Sequence, residues 1–392
     1  MILKNCAACA APLGLSLGKK CGRCSTRYCG AACQKQHWES GGHDKLCKKI
    51  KKSGGAEQYN AEQRYAKAVA VAAEKCAEDT KGQTCYICTQ ALHWKTKEGL
   101  VRGCACRGTA GFAHVSCLAE QAKILIAEAE ENKLDLRVKQ ARWERWFSCS
   151  LCEQRYHGVV ACALGWACWK TYLGRPERDE LQSMAMTQLG NGLYSAHRYD
   201  EALSVEEANL SMQRRLGASE DDLLIAQGNL AITYGELGHP EKALSMERDV
   251  YSGRLRLYGE EHRETLRGAL NYAVSLIDLQ RHAEAKSVLR STVPVARRVL
   301  GDSHDYTLTM RKVYAETLYK ADGATRDDLR EAVTTLEETA RTARRVFGGA
   351  HPLTAQIERR LPEARAVLGA REGGDLEPLR EAVAEMMTQG GA

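Results

Sequence analysis

Small residues recur at fixed intervals in the second half of the chain. Gly190 and Ala202, Ala231 and Ala243, and Ala273 and Ala285 each lie twelve apart, where one helix must approach its partner closely. The dipeptides Leu216-Gly217, Tyr258-Gly259, Leu300-Gly301 and Phe347-Gly348 recur at spacings of 42, 42 and 47. A fixed period of this size predicts stacked helix pairs, each second helix ended by its glycine in the left-handed conformation and the last pair followed by a helix starting at Pro352. The fourth unit departs from the period, because "ADGATRDDLREA" adds five residues, expected in its helix-to-helix turn. Upstream, the Ala/Glu/Lys-rich segment from Ala56 to Glu78 reads as a helix. Gly158 to Trp169 is the longest uncharged apolar run; its twelve residues predict a mostly buried helix and fall short of the ~18 that a bilayer span requires. The segment from Ala119 to Ser148 holds a helical run and then "RWERW", whose Trp143 and Trp146 share a helix face and are expected to pack inward. By contrast "RGCACRGTAGFAHVSC", residues 102–117, is too glycine-rich and irregular for a good helix, and it packs three cysteines and a histidine together.

The cysteines change the picture most. The 392-residue chain has 17 of them, with none after Cys168. An odd number, grouped in C-x-x-C pairs, does not suit a secreted disulfide framework. Zinc is the better reading, and with it a reducing compartment, cytoplasmic or nuclear. The start, "MILKNC", lacks the basic and apolar regions of a signal peptide, and no membrane association is expected. The net charge of +6 is uneven: residues 1–60 hold eleven Lys/Arg against three Asp/Glu. A basic run such as Lys45 to Lys52 reads as a solvated face, and a nucleic-acid role is not expected.

The first fifty residues contain Cys6, Cys9, Cys21, Cys24, Cys29, Cys33, His43 and Cys47, eight N/S donors and so enough for two tetrahedral sites. A segment this short cannot bury enough apolar surface to fold alone, so metal binding would supply its folding free energy. The order C-x2-C-x11-C-x2-C-x4-C-x3-C-x9-H-x3-C, with "YCGAACQKQHW" and "GGHDKLC", resembles the MYND zinc finger. The resemblance implies interleaved sets, with Cys6, Cys9, Cys29 and Cys33 on one zinc and Cys21, Cys24, His43 and Cys47 on the other. His37 and His43 both stand near the seventh ligand position; H-x3-C, which puts both ligands on adjacent turns of one helix face, favours His43.

A second set of eight explains the irregular stretch. Cys85, Cys88, Cys104, Cys106, His114, Cys117, Cys149 and Cys152 run as C-x2-C-x15-C-x-C-x7-H-x2-C-x31-C-x2-C. With "CACRGTAGFAHVSCL" at its centre, this order resembles the RING-CH finger of a group of ubiquitin ligases. The resemblance implies Cys85, Cys88, His114 and Cys117 on one zinc, Cys104, Cys106, Cys149 and Cys152 on the other, and Ile87 as an apolar contact for a ubiquitin-conjugating enzyme. Two positions depart from the family: Glu153 follows the last ligand where a basic residue is common, and Gln121 replaces a common tryptophan. Of the remaining donors, Cys76 has no partner nearby, and His157, Cys162 and Cys168 lie in or beside the apolar run and read as core.

The repeats resemble tetratricopeptide repeats in the 42-residue form of kinesin light chains, which implies a curved groove for peptides or helices. His262, His304 and His351 each fall three residues after a repeat glycine and read as repeated turn architecture. No P-loop, GxSxG or HExxH motif occurs in the repeat region. The expected fold is mainly α, with two small cross-brace zinc fingers, MYND and RING-CH, followed by an α-helical repeat solenoid. The expected divisions are a finger at 1–50, a helical linker at 51–81, a finger with a helical insertion at 82–175, the repeat array at 176–370 and a C-terminal helix or tail at 371–392. Four zinc ions are expected, together with protein partners for the groove and the first finger. The expected function is a RING-CH-type ubiquitin ligase that recruits substrates through these modules; the alternative is a non-catalytic adaptor.

Overall fold

The computed structural model describes residues 6–11, 13 and 18–372; the expected C-terminal helix or tail therefore lies, beyond Glu372, outside the described residues. Among these, fifteen α-helices and two short strands make the protein mainly α. The chain divides into two units, 1–218 and 219–392.

In the first unit, β1 (Lys19–Lys20) pairs antiparallel with β2 (Arg27–Tyr28), Lys19 opposite Tyr28. Then come α1 (Ala31–Glu39), α2 (His43–Lys52) and α3 (Ala56–Lys75). The Ala/Glu/Lys-rich helix thus ends three residues before Glu78. A loop region braced by a bridge between Val101 and Ala113 leads to α4 (Val115–Glu131) and α5 (Leu136–Trp143). The unit closes with α6 (Gly158–Tyr172), α7 (Glu180–Ser195) and α8 (Tyr199–Leu216).

The core forms around α6 because this helix has no polar face to give to water. Eleven of its residues are buried, from Val160 to Tyr172, as a helix apolar all round requires. Helices α3, α4 and α7 pack against it. Trp146 is fully buried and Trp143 nearly so; their rings lie 5.8 and 5.4 Å from that of Tyr172 at the end of α6. Trp146 itself sits in a short 3-10 turn after α5. Helix α7 comes so close that a Cβ on Gly192 would stand 2.6 Å from the Ala161 carbonyl oxygen.

The second unit alternates α9 (Glu220–Glu236), α10 (Pro240–Tyr258), α11 (Arg263–Asp278), α12 (His282–Leu300), α13 (Asp305–Tyr319), α14 (Arg326–Phe347) and α15 (Pro352–Glu372). Consecutive helices pack pairwise. The small-residue positions meet as spaced: Ala231, Ala273 and Ala285 are fully buried and Ala243 nearly so. The extra five residues are split rather than confined to the turn. The connection grows from the three residues after α11 to six after α13, α14 has 22 residues against 19 in α12, and α13 is one residue shorter than α11. Thr325 and Asp328 close a capping box that starts α14 early enough to take up that length.

The repeat glycines differ from expectation. Only Gly217 is left-handed, at φ 68 and ψ 42. Gly259, Gly301 and Gly348 combine φ of 78, 89 and 88 with ψ of −179, 159 and 165, an extended mirror region open essentially to glycine alone. This sends the chain straight on, so that His262, His304 and His351 become caps of the next helix. The Nδ1 of each accepts the backbone N–H two residues later, at 3.3, 3.1 and 3.2 Å. Arg254 is a second departure. It is fully buried at the position that Ala296 occupies 42 residues on, and Gly228 and Gly268 flank it where a Cβ would meet its side chain at 3.6 and 3.5 Å.

The two glycine environments predict opposite outcomes. Gly192→Ala forces backbone apart and should lower unfolding free energy by ~1–3 kcal/mol. Gly228→Ala, where a Cβ meets nothing nearer than 3.6 Å, should raise it by up to ~1 kcal/mol through helix propensity. Denaturant unfolding of each variant checks the pair, and an undiminished Gly192→Ala would contradict the close approach of α7 to α6.

Candidate metal centres

All sixteen cysteines and histidines singled out by spacing fall into four groups: Cys6, Cys9, Cys29 and Cys33; Cys21, Cys24, His43 and Cys47; Cys85, Cys88, His114 and Cys117; and Cys104, Cys106, Cys149 and Cys152. Within each group the donor atoms lie within 4.8 Å of one another. The second group is the most buried, and Cys9 and Cys29 leave the first group the most open.

Four C-x2-C knuckles share one backbone geometry. The N–H of the first cysteine donates to the carbonyl five residues on: Cys6 to Ala11 at 2.7 Å, Cys21 to Thr26 at 2.8 Å, Cys85 to Gln90 at 3.0 Å and Cys149 to Gln154 at 2.9 Å. The residue after the second cysteine is left-handed in every case, at φ 57 for Ala10, 60 for Ser25, 60 for Thr89 and 58 for Glu153. That conformation costs a residue other than glycine ~1–2 kcal/mol, which metal binding can offset. It curls the chain so that backbone amides face sulfur: the N–H groups of Ile87 and Leu151 donate to Cys85 and Cys149 Sγ, each at 3.4 Å.

The two histidines are separately oriented. His43 opens α2 and brings its Nε2 to 3.4 Å from Cys24 Sγ, while its buried Nδ1 has no hydrogen-bond partner. His37 lies outside the group, with Nδ1 3.1 Å from the Tyr28 hydroxyl. His114 turns Nδ1 toward Cys88 and Cys117 Sγ, at 3.3 and 3.7 Å. Its Nε2 lies 3.3 Å from the Ala91 carbonyl, the outer hydrogen bond that leaves the other nitrogen's lone pair for a metal. Glu98 pins the start of the helix carrying Cys117 by accepting from the Ser116 N–H at 2.7 Å and its hydroxyl at 2.8 Å.

The donor sets fit zinc. Four groups, each of four sulfurs or of three sulfurs and one nitrogen, would be unusual without a cation, because thiols so close resist ionising together. Burial pushes the thiols of Cys47 and Cys106 each up to about 12, and the hydrogen bond to Cys29 does the same to Cys33. Between Cys104 and Cys149 one proton is retained, since their hydrogen bond raises the first thiol and lowers the second. A dication at the centre of each group reverses that balance, and zinc prefers tetrahedra of all-sulfur or mixed sulfur and imidazole donors. Gly111 adds a steric observation: with φ 84, it leaves the wall of the fourth group bare where a Cβ would stand 2.5 Å from Cys106 Cβ and 3.3 Å from Cys104 Sγ.

Comparison with known proteins agrees with this chemistry. Residues 6–47 match the MYND finger, 85–134 the RING-variant domain, and 181–256 and 265–306 two tetratricopeptide repeat families. The chain carries a MYND finger, a RING-variant domain and tetratricopeptide repeats. Zinc is the ion these fingers are expected to hold, and both the MYND finger and the repeats are protein-interaction modules. The RING-variant match ends before Cys149 and Cys152, which the fold returns to Cys104 and Cys106. Among solved structures, a Podosopora anserina kinesin light chain with nearly identical TPR-like repeats is 18% identical over 56% of this chain and 99% of its own, with a TM-score of 0.41. BtubC (BKLC) from P. vanneervenii is 13% identical over 71% and 91%, with a TM-score of 0.40. Likeness at these scores adds nothing to the fold derived above. No curated protein matches the chain closely enough to mark a relative. Among the described residues no helix is long and apolar enough to cross a membrane.

Spacing had not singled out Leu151 or Gly111. Leu151 was readable, since it occupies in its knuckle the place of Ile87; Gly111 was not, because only the folded loop brings it against Cys106. Gly111→Ala should lower the zinc content of the purified chain from four ions toward three. Gly108→Ala, at φ 59 with nothing within 4 Å, should retain all four, and metal analysis of both variants by mass spectrometry checks the contrast.

Proposed function

We propose that the chain is a zinc-dependent ubiquitin ligase of the RING-CH type, acting in the cytoplasm or nucleus. Its four zinc ions are held by Cys6, Cys9, Cys29 and Cys33; Cys21, Cys24, His43 and Cys47; Cys85, Cys88, His114 and Cys117; and Cys104, Cys106, Cys149 and Cys152. Such a ligase supplies no nucleophile; it holds a ubiquitin-charged conjugating enzyme in a reactive geometry. The observation that carries the reading is an exposed apolar pair on the second finger. Ile87 and Leu151 are 37% and 52% exposed, and the residues before them are joined by a 3.1 Å hydrogen bond between the Tyr86 and Ser150 hydroxyls. Two knuckles fixed side by side thus present one apolar contact, with Ile87 and Leu151 as its anchors. The MYND finger and the repeat groove recruit the substrate.

A second reading, a non-catalytic adaptor, draws support from Glu153. This acidic residue stands after the last knuckle, exposed and at φ 58, where family ligases often carry a basic group.

Discharge of ubiquitin from a panel of charged conjugating enzymes by the full chain separates the two. The ligase reading expects stimulated discharge, reduced roughly 30-fold or more by Ile87→Ala, the loss typical of an interface anchor, and reduced by Leu151→Ala, with four zinc ions retained in both variants. No stimulation by the zinc-loaded chain would favour the adaptor.

A further inference from the structure

The four centres differ in what stands between their sulfurs and solvent. Of the seventeen cysteines only Cys9 and Cys29 are exposed, and both belong to the first centre. Cys33, beside them, is half-buried. All four donors of the second centre are buried, and no donor of the third or fourth is exposed.

Hydrogen bonding divides the centres in the same way. The Thr26 hydroxyl lies 3.1 Å from Cys24 Sγ in the second, and the N–H groups of Ile87 and Leu151 donate to Cys85 and Cys149 in the third and fourth. A donor aimed at a thiolate stabilises its charge and blunts it as a nucleophile. In the first centre such backbone donors serve Cys6, its buried member. Among the described residues, the hydrogen-bond partners of Cys29 and Cys33 Sγ are other cysteine sulfurs. Cys29 stands in the middle of this sulfur face, 3.7 Å from Cys9 Sγ and 3.3 Å from Cys33 Sγ.

A thiol that holds a dication is deprotonated. The thiolate is also the form that hydroperoxides oxidise, most readily where it is exposed. We infer that the first centre is an oxidation site for hydrogen peroxide, with Cys29 as the attacked sulfur and Cys9 or Cys33 as the thiolate that closes a reversible disulfide with it. The Cys29 thiolate attacks one peroxide oxygen; an S–O bond forms, the O–O bond breaks and hydroxide leaves. The neighbouring thiolate then attacks the Cys29 sulfur, so that an S–S bond forms, the S–O bond breaks and a second hydroxide leaves. Two thiolates thus give up two electrons to one peroxide.

The centre keeps two of its four donors after this step, too few to hold zinc. The loss is confined to the first centre, because the buried donors of the second continue to hold α2 and, through the 3.1 Å hydrogen bond from the Ala56 N–H to the Cys24 carbonyl, its junction with α3. Oxidation therefore unclips the knuckle of Cys6 and Cys9 from the start of α1. The site requires only that the finger hold its zinc, and it is independent of the ubiquitin-transfer reading.

The test treats the full chain, loaded with four zinc ions, with increasing hydrogen peroxide at neutral pH. A chromogenic chelator follows the released zinc, and the cysteines are mapped by mass spectrometry after alkylation without reduction. One ion of the four should leave before the others, Cys29 should be found joined to Cys9 or Cys33, and dithiothreitol with added zinc should restore the full count. Release of all four ions together would overturn the proposal, as would first oxidation at the cysteines of another centre. So would zinc loss with Cys29 unoxidised or carried on to the sulfinic acid without a disulfide, or retention of all four ions at peroxide concentrations that fully oxidise free cysteine over the same time.

Discussion

Donor atoms from distant parts of the chain must converge to within 4.8 Å, and the architecture of the first unit depends on that convergence. Cys104 and Cys106 meet Cys149 and Cys152 only because α4 and α5 run out and return, and the return is held by Trp143 and Trp146 against Tyr172 of α6. The fingers and the helical core are therefore one construction. The electrostatics point the same way: thiols so close together cannot all ionise alone, and a dication turns their mutual repulsion into attraction. The strain at Ala10, Ser25, Thr89 and Glu153 adds to what the metal must offset, and four identical curls of backbone are its signature.

Much of this was legible because knuckle chemistry is local. Two cysteines separated by two residues fit one turn of chain whatever surrounds them, so the donors could be picked out by spacing, and the mainly α solenoid could be read from a 42-residue period. How the donors divide among centres was not in the spacing; it came with the family resemblances. Exposure was also out of reach. Leu151 and Val160 are both apolar residues near the last cysteines, yet one faces solvent and the other closes on Gly103, a difference decided by α6 alone.

The second unit reaches order by other means. Its core is a stack of alanines and leucines between consecutive helices, with no metal-donor cluster among its described residues. Its period predicted where helices approach but not how each connection is made: glycine was expected to be left-handed at every repeat, and three of four instead extend the chain in the mirror region. The reason lies one turn further on, since only an extended glycine delivers the following histidine to the helix start as its cap. Arg254 marks the limit of the repeat as a pattern. One unit places a guanidinium where the next places an alanine methyl.

The histidine caps have a consequence for how such an array changes over generations. His262, His304 and His351 each belong to the connection that precedes a helix, at a constant distance from the repeat glycine, so a duplicated segment of 42 residues brings its own cap along. A copy can be gained or lost without exposing unpaired amides at the junction. The array can therefore lengthen or shorten in whole steps, while the metal-dependent unit, whose donors interleave within residues 6–47 and again within 85–152, tolerates no such editing.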